Sequence, residues 1–210
     1  MFGFICVWSC LAGSSHVKLP LLEKSEHMSN NHFKGKYEVE LKYRLESKAR
    51  FLDVLNHIPH EVMLQDNTEC DWYFDTPEKT LDAQKKSVCI RKMEPSGIKL
   101  WIVKGPETDR CEATNITDEV AAISMLETMG YKVILKAVKT RSIYFLGKFH
   151  ITVDTLDGIG DFAEFAIMTD DESMLSTYKS ELETLANGFG LTGVELQTKS
   201  YKQMMMEKYS

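Results

Sequence analysis

The chain has 210 residues, of which 43% are hydrophobic and 27% are charged, and its formal net charge at pH 7 is -6. This composition is typical of one globular domain of ordinary size and excludes wholesale disorder. The acidic balance argues against a nucleic-acid partner, because proteins that bind nucleic acids usually carry a basic excess.

Residues 1–33 are predicted to be an N-terminal extension, and residues 34–210 to form the folded domain. The apolar stretch over residues 2–11 is too short to span a bilayer. No Lys or Arg precedes it, so it matches a signal peptide poorly. We expect the extension to be disordered and the protein to have no membrane partner.

The five cysteines argue for a reducing compartment. They are an odd number, and no two of them form a C-x-x-C pair. This pattern fits neither a disulfide framework nor a zinc site. We therefore expect reduced thiols in a cytoplasmic protein.

The segment 36–45 alternates strictly between charged and apolar side chains, with charges at Glu38, Glu40, Lys42 and Arg44. In a strand, one face would carry only charge and the other only apolar groups. The commoner use of this pattern is an amphipathic strand with its polar face in water. However, two carboxylates two residues apart repel each other, and a divalent cation relieves that repulsion. A metal-phosphate site is therefore the second interpretation, with the lysine holding an anionic substrate.

Later elements follow from apolar spacing and turn signals. Ser47 is predicted to cap a helix that ends at Pro59, and residues 60–68 to form an unpatterned connection. Further strands are predicted over residues 70–75, 87–93, 98–104, 110–115, 131–146, 149–155 and 160–168. Further helices are predicted around Leu81, after a Thr117 cap, over about 171–187 and over 200–208. Because the strands cluster by hairpins, we predict an α+β fold with about eight antiparallel strands.

Ionisable side chains recur in the middle of the later strands, where β-propensity disfavours them. They are Arg91, Lys104, Arg110, Glu112, Lys139, Arg141, His150, Asp154 and Glu164. Any one of them alone is most simply a solvated residue or half of a local ion pair. If the sheet closes and helices cover its outside, these charges face a lumen where unpaired ions are costly. Mixed acids and bases there suit a polyphosphate with divalent cations.

Other catalytic signatures are missing from the sequence. It contains no G-x-S-x-G elbow, no G-x-x-x-x-G-K-[ST] phosphate loop and no plausible Cys-His couple. His150 is more simply a structural strand residue than a base. Nothing in the sequence therefore supports covalent catalysis.

The motif Glu38-x-Glu40-x-Lys42, together with the late strand that carries Glu164, resembles the CYTH or triphosphate tunnel metalloenzyme superfamily. The runs 98–106, 110–113, 139–145 and 149–154 resemble, more narrowly, the bacterial class IV adenylyl cyclases. The resemblance covers roughly residues 34–205 and is weakest over 56–69. It leaves residues 1–27 outside.

The resemblance implies a closed antiparallel β tunnel with helices packed outside, in which residues 34–210 are the CYTH domain. It assigns Glu38, Glu40 and Glu164 to two Mg2+ or Mn2+ ions, with Asp154 beside them. Five bases would bind the triphosphate and stabilise the charge of the transition state: Lys42, Arg91, Lys104, Lys139 and Arg141. Arg110 and Glu112 would support the tunnel wall. The implied reaction converts ATP into 3′,5′-cyclic AMP and pyrophosphate, in a homodimer.

Two other functions stay open at this point. A phosphohydrolase acting on thiamine triphosphate or inorganic triphosphate would use a similar tunnel, with water attacking the γ-phosphorus instead. A non-catalytic nucleotide or polyphosphate sensor belongs to a different class. The longer motifs favour the cyclase over the hydrolase, and the complete set of acids and bases makes a sensor the weaker interpretation.

Overall fold

The structure is a computed structural model that describes residues 32–209. In this range eight strands form one sheet: β1 (Tyr37–Leu45), β2 (Glu61–Asp75), β3 (Ser87–Glu94), β4 (Lys99–Lys104), β5 (Cys111–Asn115), β6 (Lys132–Leu146), β7 (Phe149–Leu156) and β8 (Gly160–Thr169). The α-helices are α1 (Lys48–Asn56), α2 (Thr80–Ala83), α3 (Glu119–Thr128), α4 (Leu175–Gly188) and α5 (Tyr201–Lys208), and a 3-10 turn (Glu172–Met174) precedes α4.

The sheet closes on itself. Its strands are antiparallel in the order β1-β8-β7-β6-β2-β3-β4-β5, and the two edge strands meet where Tyr37 bridges to Arg110. Beside this bridge the amide of Glu38 donates a hydrogen bond to the carbonyl of Asp109 at 2.8 Å. The prediction of an α+β fold, built as a closed antiparallel tunnel with helices outside, is confirmed.

The largest hydrophobic cluster of the described residues lies outside the tunnel, between the sheet and its helices. The apolar face of β1 packs with β7 and β8 against α1 and α4, where Phe51, Leu55 and Leu182 are buried. A second cluster joins α2 and α3 to β2 and β3, and a third lies under α5. Burying a large apolar side chain contributes roughly 1.5–3 kcal/mol. The outward faces of the strands therefore stabilise the fold under the helices, and the inward faces line a lumen that also holds apolar groups such as Ile102 and Ile143.

Residues 60–68, predicted as an unpatterned connection, mostly form the first half of β2. Register shifts interrupt its pairing with β6 between Val62 and Leu64 and again between Leu64 and Asn67. Asp66 has a positive φ of 49°. Each irregularity moves the following side chains to the opposite face of the strand, so no two-residue period survives in the sequence. The prediction was wrong for that reason.

Two predicted helix caps have different outcomes. The hydroxyl of Ser47 accepts a hydrogen bond from the amide of Arg50 at 3.2 Å, as predicted. At α3 the cap is Asp118 and not Thr117: the Asp118 carboxylate accepts from two first-turn amides at 2.9 and 3.0 Å. A carboxylate at this position also interacts favourably with the helix dipole.

Most of the predicted extension, residues 1–31, lies outside the described residues. Its last two members pack against the sheet. The His32 ring stacks on Phe145 at 3.9 Å between centroids, and the Phe33 ring lies 4.8 Å from that of His150. These contacts attach residues 32 and 33 to the folded domain.

In the part of the chain that the structure describes, no helix combines the length and the apolar character needed to cross a bilayer. The three cysteines of the same part, Cys70, Cys89 and Cys111, are all free thiols.

The apolar cluster between the sheet and helices α1 and α4 allows a test of what stabilises the fold. Phe165 of β8 is fully buried and lies edge-on to Tyr43, Phe51 and Phe189. We expect Phe165→Ala to lower the free energy of unfolding by about 3–5 kcal/mol, because the cavity cannot collapse among these rings. Urea denaturation measures the loss. The exposed Val120→Ala serves as control and should change stability by less than about 0.5 kcal/mol.

Candidate active site

Most of the charged residues that the sequence analysis singles out lie in or beside the tunnel lumen. A cavity of about 1000 Å3 runs through it. The cavity is lined by seven of the nine predicted site residues: Glu38, Glu40, Lys42, Arg91, Lys104, Arg141 and Glu164. The other two, Lys139 and Asp154, are buried. Because binding pockets for small molecules typically measure about 300–1,000 Å3, a nucleotide fits this space.

Strand alternation explains why the charges converge. Glu38, Glu40 and Lys42 sit at every second position of β1, and Lys42 lies directly opposite Glu164 of β8. On β6, Arg141 lies opposite Asp154 of β7. Side chains two residues apart share a face of a strand, so closure of the sheet turns these faces toward one lumen.

Glu38 and Glu40 differ in their electrostatic surroundings. Lys104 donates to Glu38 Oε2 at 2.7 Å, and His150 Nε2 lies 3.7 Å from Glu38 Oε1. Burial opposes the ionisation of Glu38, but these two neighbours hold its pKa well below the usual value. For Glu40, burial and the nearby carboxylate of Glu164 raise the pKa to about 7. The lysines beside Glu40 therefore do not offset its burial and the repulsion from Glu164.

Lys42 lies between two of the carboxylates. Its Nζ is 3.5 Å from Glu40 Oε1 and 3.2 Å from Glu164 Oε1. The same ammonium group lies 4.3 Å from the centroid of the Tyr201 ring, which adds a cation–π contact. Burial opposes protonation of Lys42, and Glu164 with Glu40 overcomes it, so the pKa of Lys42 is raised.

Arg141 is the most heavily paired base of the lumen. Its Nε and Nη2 donate to both oxygens of Asp154 at 2.6 Å, and Nη2 also donates to Glu164 Oε2 at 2.6 Å. Asp154 is fully buried and accepts a further hydrogen bond from the hydroxyl of Tyr201 at 2.7 Å. Since both oxygens of Asp154 are engaged in this way, its contacts orient Arg141.

Glu69 and Asp71 are lumen carboxylates that the sequence analysis missed. Both are buried, and Asp71 accepts from Nε and Nη2 of Arg91 at 2.7 and 2.9 Å. Glu69 lies 2.8 Å from Arg91 Nη2 and also pairs with Lys139. A signal was present, because Glu69-x-Asp71 repeats the spacing of Glu38-x-Glu40. Starting the strand at residue 70 hid it.

Tyr201 was also missed, since a helix after the last strand gives no sequence signal for a place in the lumen.

Arg110 and Glu112, the pair predicted to support the tunnel wall, do not point into the lumen. Arg110 and Glu112 pair at 2.9 Å on the outside, and Cys111 between them lines the cavity. The prediction that this pair supports the tunnel wall holds only in that Arg110 bridges to Tyr37.

The carboxylates do not form a complete cation site by themselves. Between residues 32 and 209, no three His, Cys, Asp or Glu side chains stand together in a way that could hold a metal ion. Bases separate them: Lys42 lies between Glu40 and Glu164, and Arg141 occupies Asp154. A cation in this lumen would need further ligands, and the oxygens of a polyphosphate are of the type that hard cations prefer.

Comparisons with known proteins identify the family of this chain. The model of the CYTH domain matches residues 36–201. The adenylate cyclase CyaB of Aeromonas hydrophila is 57% identical over 177 residues, which make up 84% of this chain and 93% of that protein. A solved Vibrio parahaemolyticus structure is 55% identical, with a TM-score of 0.80, and the match covers 82% of this chain and 99% of that one. The Pyrococcus horikoshii protein PH1819, at 24% identity and a TM-score of 0.72, shares the fold over 82% of this chain and 99% of its own. The chain belongs to the CYTH domain family.

Proposed function

We propose that this protein is an adenylate cyclase that converts ATP into 3′,5′-cyclic AMP and pyrophosphate inside its tunnel. The observation that carries the proposal is the convergence of Glu38, Glu40 and Glu164 with Lys42 and Arg141 in one cavity. The 57% identity to adenylate cyclase CyaB over most of both chains supports the same reaction.

Glu38, Glu40 and Glu164 would hold two divalent cations, either Mg2+ or Mn2+. Burial and the nearby carboxylate of Glu164 raise the pKa of Glu40 to about 7, and this is the observation that fits them, because a cation beside Glu40 would relieve that repulsion. Bound cations supply Lewis acidity, which lowers the pKa of the ribose 3′-hydroxyl that attacks the α-phosphorus. Asp154 was expected beside the cations, and its two oxygens accept hydrogen bonds from Arg141.

The bases bind the triphosphate and stabilise the charge of the leaving pyrophosphate. Arg91, Lys104 and Arg141 line the cavity, and Lys139 lies behind them, buried with Glu69. Half of the Lys104 side chain is exposed, so this residue is the most accessible to an incoming anion. Preorganised cations at the position where charge develops are a large part of the rate enhancement in phosphoryl-type reactions. No side chain is required as a general base.

The two carboxylate pairs of the lumen differ in their neighbours, and this difference suits ATP bound with its cations. Glu40 has two carboxylates, Glu38 and Glu164, among its charged neighbours, whereas within residues 32–209 the ion-pair partners of Glu69 and Asp71 are bases. A bare polyphosphate would meet repulsion at one side, and a bare cation would meet it at the other. A metal–nucleotide complex satisfies both sides.

We further propose that the protein acts as a cytoplasmic homodimer. The free thiols of Cys70, Cys89 and Cys111 suit a reducing compartment. A thiamine-triphosphate or inorganic triphosphate phosphohydrolase, and a non-catalytic sensor, remain as outcomes that the following assay separates from a cyclase.

The first prediction concerns the product. Incubation of the protein with α-labelled ATP and Mg2+ or Mn2+ should give labelled cyclic AMP and an equal amount of pyrophosphate, measured by chromatography. Orthophosphate released without cyclic AMP would contradict the cyclase and indicate a phosphohydrolase. Tight nucleotide binding without any turnover would indicate a sensor.

The second prediction concerns Glu38 and Glu40. We expect Glu38→Ala or Glu40→Ala to lower kcat by about a hundredfold or more, because each removes a cation ligand. Steady-state rates at saturating Mn2+ measure the loss. The matched control is Glu181→Ala, which removes a carboxylate that pairs with Lys148 on the outer surface. Near-normal turnover in either lumen variant would refute the assignment.

The third prediction concerns pH. With a pKa of about 7, Glu40 is protonated in acid, and its proton must leave before a cation can bind. The affinity for Mn2+ should therefore fall as the pH decreases below about 7, by up to about tenfold per pH unit. Calorimetric titration between about pH 6 and about pH 8 measures this dependence, which Glu40→Gln should flatten. Equal wild-type affinity at both ends would contradict it.

A further inference from the structure

A second pair of carboxylates, Glu69 and Asp71, lies in the lumen, and its ion-pair partners within residues 32–209 are all bases. We propose that Glu69 and Asp71 are positioning residues that hold Arg91 at the angle from which it contacts the triphosphate. This inference rests on the proposed function, because it assumes that Arg91 binds a phosphate group during turnover.

The first step is the register of the central strands. β2 lies between β3 and β6 in the sheet. Asp71 is directly opposite Arg91 on β3, and Glu69 is directly opposite Lys139 on β6. Opposite residues of antiparallel strands have their Cβ atoms about 4.5–5.5 Å apart, so the pairing is fixed by the backbone. The two acids therefore connect bases on both neighbouring strands.

The second step is the geometry at Arg91. The carboxylate of Asp71 accepts from Nε and Nη2 in the two-point arrangement that fixes the plane of a guanidinium. Glu69 Oε1 lies 2.8 Å from the same Nη2. The acids thus engage Nε and Nη2 of Arg91, which leaves Nη1 for a ligand in the cavity that this residue lines.

The third step separates this pair from Glu38 and Glu40. Burial opposes the ionisation of Asp71, yet Arg91 and Lys139 hold its pKa below the usual value. Glu69 has Arg141 Nε at 3.8 Å from its second oxygen, Oε2, which accepts no hydrogen bond within residues 32–209. A divalent cation placed here would lie among three cationic side chains. The pair therefore neutralises bases and does not need a metal.

The fourth step is the cost of the arrangement. Glu69 and Asp71 are both at most 1% exposed. Buried ion pairs often stabilise a protein no more than apolar residues of the same volume would. A role in stability alone therefore accounts poorly for this network, whereas orientation of a phosphate-binding guanidinium accounts for the contacts of both acids with Arg91.

A double-mutant cycle tests the inference. Asp71→Asn keeps the shape of the side chain and removes its charge. If Asp71 acts through Arg91, Asp71→Asn should lower kcat about tenfold to a hundredfold, since small misplacements of a catalytic group have effects of this size. In an Arg91→Gln background the same substitution should change kcat by less than about threefold. Additive losses in the double variant would overturn the proposal.

Two further readouts distinguish positioning from other roles. Asp71→Asn should leave the Mn2+ concentration for half-maximal rate unchanged, and KM for ATP should not rise, because Arg91 keeps its charge. A raised Mn2+ requirement would make Asp71 a cation ligand and overturn the proposal. An unchanged kcat per folded molecule, with only the melting temperature lowered, would make it purely structural. Glu69→Gln repeats the measurement if Asp71→Asn does not fold, and the surface variant Glu181→Gln is the matched control.

The outcome does not depend on which triphosphate reaction occurs. If the wild type releases orthophosphate instead of cyclic AMP, the cyclase assignment fails by product identity. The cycle is then run on the rate of orthophosphate release, since Arg91 contacts the triphosphate in either reaction. A wild type without turnover of either kind would overturn both the proposed function and this inference.

Discussion

The tunnel depends on one constraint: every charge that the closed sheet buries must have a partner of opposite sign. A buried ion that loses its partner costs roughly 3–5 kcal/mol. Arg141 meets this constraint by pairing with Asp154 and Glu164, and Arg91 meets it by pairing with Asp71. The strands that carry these residues are therefore held in register by electrostatics as well as by backbone hydrogen bonds. The site is thus preorganised before any ligand enters.

This constraint explains why the largest hydrophobic cluster of the described residues is outside the barrel. Small closed sheets commonly fill their interior with apolar side chains. Here the apolar faces of β1, β7 and β8 instead pack under α1 and α4, around residues such as Phe51, Phe165 and Leu182. Helices therefore supply much of the apolar burial, and the lumen combines apolar residues such as Ile102 and Ile143 with space for a charged ligand.

The C-terminal helix α5 contributes to the hydrophobic packing and also to the charged site. Met204 and Met205 pack on the lumen-side residues Ala137 and Phe162, which extends the core across one end of the tunnel. Its first residue, Tyr201, donates to Asp154, and its ring lies next to the ammonium groups of Lys42 and Lys139. The helix thus orders groups on three strands. Truncation of the chain before α5 would therefore be expected to affect the site and the fold together.

The sequence by itself determined the strands that alternate regularly and the side chains on their charged faces, because a period of two is a local property of the backbone. Glu38, Glu40, Lys42 and Arg141 could be selected on that basis. The tertiary structure alone decided which acid pairs with which base, since partners such as Glu69 and Lys139 are 70 residues apart. The bulges of β2 and the place of Tyr201 were hidden for the same reason: both are set by packing between distant segments, and a one-dimensional pattern does not contain that information.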